Sequence, residues 1–300
     1  MPPEFNPSFH SPGWGWAIVW YFFFGGITGG MYFCAAWLDL FGDDRDRGAV
    51  RLGHLLAFPL LLVCAVFLIA DLGQPLRFWH MIFQSERFPL PIVKPYSPMS
   101  LGSVVLSVFG LFAFLSFADA VLFRRQPWLH ADRNPLGKVV SALGGLAGLS
   151  LAGYTGVLLN VSNVPVWETN PWVGALFLFS GLSAGTALLV LLTRRQAHAT
   201  ADKLEEADTY FMAFELVTLV IFLATLGAVG TRFVFARPAV LTLFLVVLVV
   251  GLLVPLALHV LPALRRHAVG RSAILASTCV LVGGFVLRWA LLAGPEGVGL

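Results

Sequence analysis

The chain has 300 residues, 58% of them hydrophobic and 12% charged, with a mean hydropathy of +0.84. Repeated apolar runs of about 20 residues or more exclude a water-soluble core and define a polytopic membrane protein. A formal net charge of +3 then reflects membrane topology, not a nucleic-acid footprint.

Hydropathy predicts an all-α fold of eight spans, near Trp16 to Leu38, Gly53 to Leu72, Met99 to Phe123, Leu136 to Leu159, Pro171 to Thr193, Tyr210 to Gly230, Ala239 to Leu261 and Ala273 to Ala293. Ahead of the first, Met1 to Gly13 holds four prolines and neither Lys nor Arg, so no cleavable signal peptide is expected and span 1 is retained. The connections after spans 1, 3, 5 and 7 carry 13 of the 19 basic residues: Arg45, Arg47, Arg51, Arg124, Arg125, Arg133, Lys138, Arg194, Arg195, Lys203, Arg265, Arg266 and Arg271. The opposite face has Arg77, Arg87, Lys94, Arg232 and Arg237, while Arg288 falls inside span 8. The positive-inside rule therefore places both termini on the outer, periplasmic side. Cys34, Cys64 and Cys279 fall within spans and form no close-spaced pair, so they are expected to pack as inert thiols and to hold no iron-sulfur cluster.

Span 1 contains Phe24-Gly-Gly-Ile-Thr-Gly-Gly30, matched in span 5 by Phe179-Ser-Gly-Leu-Ser-Ala-Gly185. Span 2 contains Leu56-Ala-Phe-Pro59 and Ala70-Asp-Leu-Gly73, matched in span 6 by Met212-Ala-Phe-Glu215 and, after a two-residue gap, Ala224-Thr-Leu-Gly227. An offset of four spans preserves direction, which predicts a parallel internal repeat within one membrane domain, with four-helix bundles over 14–159 and 160–300. Small residues at these spacings also suit close helix packing without any ligand.

Span 2 ends in Asp71-Leu-Gly-Gln-Pro-Leu-Arg77-Phe-Trp79. An acid, an amide, a guanidinium and two aromatics are expensive to hold beside lipid, so this is a candidate site unless Asp71 and Arg77 simply pair. The connections Gly73 to Pro98 and Asn160 to Trp172 on that face are long, aromatic and proline-rich. An interfacial belt accounts for Trp14, Trp16, Trp79, Trp167 and Trp172. It does not account for Asp71, Gln74, Arg77, Asn160, Asn163, Glu168 and Asn170 gathered there, which suit a docking surface or a ligand mouth. Of the remaining ionisable groups, Asp39, His54, Asp119 and His259 are expected to sit at inner span ends in reach of water. Glu215 lies deeper in span 6 and Arg288 in the outer half of span 8, which makes them candidates for a proton path.

Gly25-Gly-Ile-Thr-Gly-Gly30, the Asp71 to Trp79 segment, Ser97-Pro-Met-Ser-Leu-Gly102, Gly153-Tyr-Thr-Gly156, Asn163-Val-Pro-Val-Trp167 and Gly283-Gly-Phe-Val-Leu-Arg288 occur in an order that resembles the NrfD/PsrC family over nearly the whole chain. These are the quinone-reactive membrane subunits of polysulfide reductase and related respiratory complexes. The resemblance implies a multi-pass subunit of the cytoplasmic (inner) membrane that exchanges electrons between menaquinone or ubiquinone and a four-cluster ferredoxin-like iron-sulfur subunit docked on the outer face. A distal catalytic subunit, whether a molybdopterin enzyme, a hydrogenase or a multihaem cytochrome, is implied beyond it. This chain itself is expected to carry neither haem nor cluster, and no nucleic acid is an expected partner. The quinone pocket of a polysulfide reductase uses an Asn and a His on span 1 and a Tyr on span 4. Tyr154 matches that Tyr, Tyr21 falls at the His position, and the Asn has no counterpart among Trp16, Ala17 and Ile18. A phenol donates a hydrogen bond to a quinone carbonyl but does not readily take up a proton near neutral pH as imidazole does.

A quinone needs a flat apolar slot, donors for its carbonyls and a route for two protons. Trp14, Trp16, Tyr21 and Trp79 are candidate walls, with Gln74 at the mouth. Tyr154, Tyr21 and Arg77 are candidate donors, Asp71 and Tyr154 the candidate catalytic pair, and Asp71, Glu215 and Arg288 the candidate proton path, with translocation as an added possibility of the family. Two other classes fit part of the pattern. A cytochrome b-like haem anchor would use His54 and His259 as facing axial ligands, and a multispan transporter would also show a parallel repeat with intramembrane charge.

Overall fold

The computed structural model describes residues 14–81, 97–123, 128–132, 134–162, 164–168, 170–194, 197–235, 237–261 and 271–296. Arg87, Lys94, Arg124, Arg125, Arg133, Asn163, Arg195, Arg265 and Arg266 lie outside them. Among the described residues the chain is helical without strands, and eight helices are long and apolar enough to cross a membrane. Span 1 is Trp16–Phe41, span 2 Arg47–Asp71, span 3 Pro98–Leu122, span 4 Pro135–Asn160, span 5 Trp172–Thr193, span 6 His198–Thr225, span 7 Pro238–Val260 and span 8 Arg271–Glu296.

Local chemistry sets the span ends. Spans 3 and 4 begin with Pro98 and Pro135, where a missing N–H costs nothing, behind the caps Ser97 and Asn134. The Asn134 side chain accepts from Leu136 N at 3.0 Å. Span 6 starts twelve residues ahead of the predicted Tyr210 (198 against 210). Hydropathy missed this polar start, although Lys203, Glu205 and Glu206 are good helix formers. The charges there are met by neighbours: Lys203 Nζ donates to Asp43 and Asp46, each at 2.8 Å, and Arg194 pairs with Asp202 at 2.8 Å and with Glu205. Span 6 stops where Gly227 adopts φ +61, a left-handed conformation suited to glycine, and a short helix Gly227–Phe235 follows. In span 7 a π-helical segment, Val247–Leu253, interrupts the α-helix.

Span 1 packs against spans 2, 4 and 5; span 3 against 2 and 4; span 5 against 1, 4, 6 and 8; and span 7 against 8 and 6. Spans 1 and 5 form the buried centre, with 72% and 67% of their apolar windows covered, whereas spans 2 and 3 are 22% covered and present aliphatic and aromatic side chains outward. The glycine pattern read in the sequence makes this crossing possible. A methyl group on Gly30 would strike the Gly181 carbonyl, and one on Gly185 would strike Met31 N, so spans 1 and 5 touch through backbone. Gly29 meets Gly148 of span 4 and Gly251 meets Gly283 of span 8 in the same manner.

The connections gather at two ends. At the basic end, Thr200 Oγ1 donates to Asp46 at 2.7 Å and Ser141 Oγ to Asp39 at 2.6 Å. At the aromatic end, Trp14 stacks on Trp167 with ring centres 5.5 Å apart, and Asn170 Nδ2 donates to Phe222 O and Thr225 Oγ1 at 3.0 Å each. Trp167 is not a belt residue. It is fully buried, and its Nε1 donates to Leu291 O at 2.8 Å, which pins the connection between spans 4 and 5 to span 8.

Candidate functional site

Tyr154 stands one turn and a half before the aromatic end of span 4, and its ring lies against Gly102 of span 3. A side chain on Gly102 would occupy the space of that ring. The hydroxyl donates to Pro98 O, a carbonyl in the first turn of span 3. Tyr21, on span 1, is 3% exposed and leans on Phe22 with ring centres 5.4 Å apart, and its ring shares the space beside Gly25 with Thr155, the residue after Tyr154. Cys64 of span 2 closes this corner, its Sγ 4.0 Å from Tyr21 O. Two phenols, one buried and one half-buried, therefore lie on spans 1 and 4 near the aromatic end, where spans 1 to 4 converge.

The other expected members are distributed differently. Trp16 turns away from Tyr21 and packs on Trp289 of span 8, ring centres 5.3 Å apart. Five residues on a helix rotate about 140°, so Trp16 and Tyr21 cannot face one slot. Trp14 is occupied with Trp167 and Phe22. Asp71 ends span 2 on the surface, and Gln74, Arg77 and Trp79 are exposed around the following turn of 3₁₀ helix, Pro75–Met81. Asp71 and Arg77 form no ion pair with each other among the described residues, which removes the simplest structural reason for the motif.

A second polar centre lies between spans 1, 5, 6 and 8. Arg288 is fully buried; its Nε donates to Phe22 O at 3.0 Å, and its Nη1 to Ser180 Oγ at 3.0 Å and to Gly284 O at 2.7 Å. The guanidinium also sits 5.3 Å from the centre of the Phe177 ring. Gly26 leaves it room, because a methyl group there would lie 2.5 Å from Nη2. Glu215, 4% exposed, shares Ser180 with Arg288 and is electrostatically coupled to it. One serine thus bridges an intramembrane acid and base, and the expected path members Glu215 and Arg288 belong together while Asp71 stands apart from them.

Sequence reading overlooked Asp208, which precedes the predicted span 6 but is fully buried in the observed one. Ser183 Oγ donates to its Oδ1 at 2.7 Å, and its Oδ2 has no hydrogen-bond partner among the described residues. The available signal was the seven-residue interval from Asp208 to Glu215, two turns along one helix face. Asp39, expected at a wet interface, is instead 5% exposed and held by Ser141, by Ala131 N at 3.3 Å and by His130. The two histidines of the haem alternative have separate neighbours: His54 lies 5.0 Å from the Tyr32 ring, and His259 Nδ1 is 3.2 Å from Thr209 Oγ1. No group of three or more His, Cys, Asp or Glu suited to a metal ion occurs among the described residues.

Fold and site together define a polytopic helical membrane protein with polar chemistry at one end and ionisable groups across its interior. The chain belongs to the family described as "Polysulphide reductase, NrfD", whose profile matches residues 6–296. It is 26% identical to Protein NrfD of Escherichia coli over 95% of both proteins, and 27% identical to a polysulfide reductase chain of Wolinella succinogenes, again over 95% of both. A selenate reductase subunit of Mesobacillus selenatarsenatis is 25% identical over 69% of the present sequence and 55% of its own length.

Proposed function

We propose that this chain is the membrane subunit of a respiratory reductase complex, in which it exchanges electrons between quinone and an iron-sulfur protein docked on the aromatic end. The observation that carries the reading is the Tyr21 and Tyr154 pair at the convergence of spans 1 to 4, in a family whose named relatives include polysulfide and selenate reductase subunits. Tyr154 gives up its bond to Pro98 O and donates to one quinone carbonyl, while Tyr21 donates to the other. Exchanging one hydroxyl partner for another costs little, so the site is set for a ligand that presents an acceptor at the same point. Arg77, Gln74 and Trp79 form the exposed rim, where the docked cluster protein approaches, and Asp71 exchanges a quinone proton with water on that side. The Glu215, Ser180 and Arg288 centre is the candidate for coupled proton movement.

The same reading groups spans 1 to 4 and spans 5 to 8 as two four-helix bundles that meet at the crossing of spans 1 and 5; spans 2 and 3 neighbour each other within the first, and spans 7 and 8 within the second. It sets the basic end in the cytoplasm and both termini in the periplasm of an inner membrane. Electrons continue to a distal catalytic subunit, and the quinone-reactive chain acts within that complex, not as a stand-alone enzyme. A quinone analogue bearing a photoreactive azide tests the site. Label on peptides containing Tyr21 or Tyr154, displaced by excess quinone, supports it, and label confined to the span 7 and 8 surface overturns it.

A further inference from the structure

At the basic end of spans 1 to 4 the structure contains a third polar site that none of the chemistry above uses. Asp39, Arg51, His54, Ser116, Asp119 and His130 line a half-open cavity of about 20 Å³, room for about one water molecule. Every one of spans 1 to 4 contributes: Asp39 from span 1, Arg51 and His54 from span 2, Ser116 and Asp119 from span 3, and Ser141 of span 4 on the Asp39 carboxylate. Arg51 Nη2 reaches Ala120 O at 3.4 Å, and Asp119 Oδ1 accepts from Trp128 N at 2.9 Å. His54 Nε2 is buried with no hydrogen-bond partner among the described residues. Anchoring of residues 128–132 explains Asp39 and Asp119, but it gives His54 no task.

Polar side chains continue from it into the bundle. Ser116 Oγ is 2.8 Å from the hydroxyl of Tyr32, whose ring faces His54 and fills the space a side chain on Gly144 would take. Tyr32 begins a buried polar file on span 1 with Thr28 and Tyr21, each 3% exposed or less. The intervals from Asp39 to Tyr32, Thr28 and Tyr21 are seven, four and seven residues, so all four lie on one helix face. Cys64 of span 2 lies beside the outer interval, against Thr28 and with its Sγ 4.0 Å from the backbone carbonyl of Tyr21. From Asp39 to Tyr21 the file rises about 27 Å at 1.5 Å per residue, most of a ~30 Å hydrocarbon layer.

We infer that this cavity is a proton-exchange site, and that the Tyr32, Thr28 and Tyr21 file carries one of the two quinone protons from the basic end to the aromatic end. Resting on the quinone reading above, the balance is Q + 2e⁻ + 2H⁺ → QH₂. Both electrons come from the docked cluster protein, one proton arrives from the aromatic side and the other from the basic side. The reverse reaction returns each by its own route. This file is separate from the Glu215 and Arg288 centre, which lies between spans 1, 5, 6 and 8.

The test uses the complex purified with its own subunits, oriented in vesicles with a pH-sensitive dye on the basic side. Reduced benzyl viologen supplies electrons without protons, and decylubiquinone is the acceptor. The expected result is about one proton removed from the basic side per quinone reduced. Tyr32→Phe, which keeps the ring and loses the hydroxyl, lowers that uptake at least tenfold while the quinone KM stays unchanged. His54→Asn, at the cavity itself, gives the same loss and decides the matter if Tyr32→Phe fails to assemble. Quinone reduction with no basic-side uptake, or uptake unaffected in an assembled variant, overturns the inference and leaves the quinone reading standing. Absence of inhibitor-sensitive quinone reduction in the unmodified complex defeats the quinone reading itself, and the inference with it.

Discussion

Replacing Arg288 by Met removes a buried cation while roughly keeping the length of the side chain, and the structure fixes what is lost. Three hydrogen bonds disappear, to Phe22 O, Ser180 Oγ and Gly284 O, at about 0.6 kcal/mol each for bonds within a membrane bundle, close to 2 kcal/mol together. Glu215 is left buried without its counter-charge, which brings the total into the range of about 3–5 kcal/mol found when one partner of a buried pair is removed. Glu215→Gln relieves that second cost, so the double variant should lose less than the two single variants combined, by about 1–3 kcal/mol. Unfolding in mixed micelles with increasing sodium dodecyl sulfate, followed by tryptophan fluorescence, gives all three numbers on one scale. Additive losses would falsify the coupling through Ser180 and reduce Arg288 to a packing residue.

Tyr154→Phe should leave assembly intact and slow quinone turnover about five- to tenfold, the effect of one lost donor worth about 1 kcal/mol; unchanged kinetics in the quinone assay would remove Tyr154 from the pocket. Asp71→Asn should change the pH profile of turnover without lowering the yield of complex, since the side chain is exposed and makes no hydrogen bond or ion pair among the described residues, and an unaltered profile makes Asp71 dispensable. Gly30→Val should abolish a stable detergent-extracted protein, because the added methyls meet the Gly181 backbone across the central crossing. Ordinary yield and thermal stability for that variant would contradict the packing described.

Eight spans were legible because apolar length is nearly independent of tertiary context, and the glycine spacing marked spans 1 and 5 as suited to close packing, although not to each other. Tyr21 and Tyr154 were named from the family resemblance, and the fold places them on spans 1 and 4 near the aromatic end. Trp16 was grouped with them by chain proximity alone, and helical phase sends it to span 8. Asp208 was lost for a different reason: the charges that begin span 6 depress hydropathy, although Asp43, Asp46 and Arg194 neutralise them. The polar file Tyr21, Thr28, Tyr32 and Asp39 was present in the sequence as a seven, four, seven spacing, but its meaning depended on which face of span 1 turns toward spans 2 to 4. Hydropathy measures how apolar a segment is and carries no information on that rotation.

The measurement that bears most directly on the account is purification of the protein in mild detergent with whatever copurifies, followed by addition of quinol and quinone with and without a quinol-site inhibitor while cluster absorption is recorded. An iron-sulfur protein that copurifies, and whose clusters are reduced by quinol or oxidised by quinone in an inhibitor-sensitive manner, is the predicted result. A solitary protein with no bound redox partner and no response to quinone would contradict it.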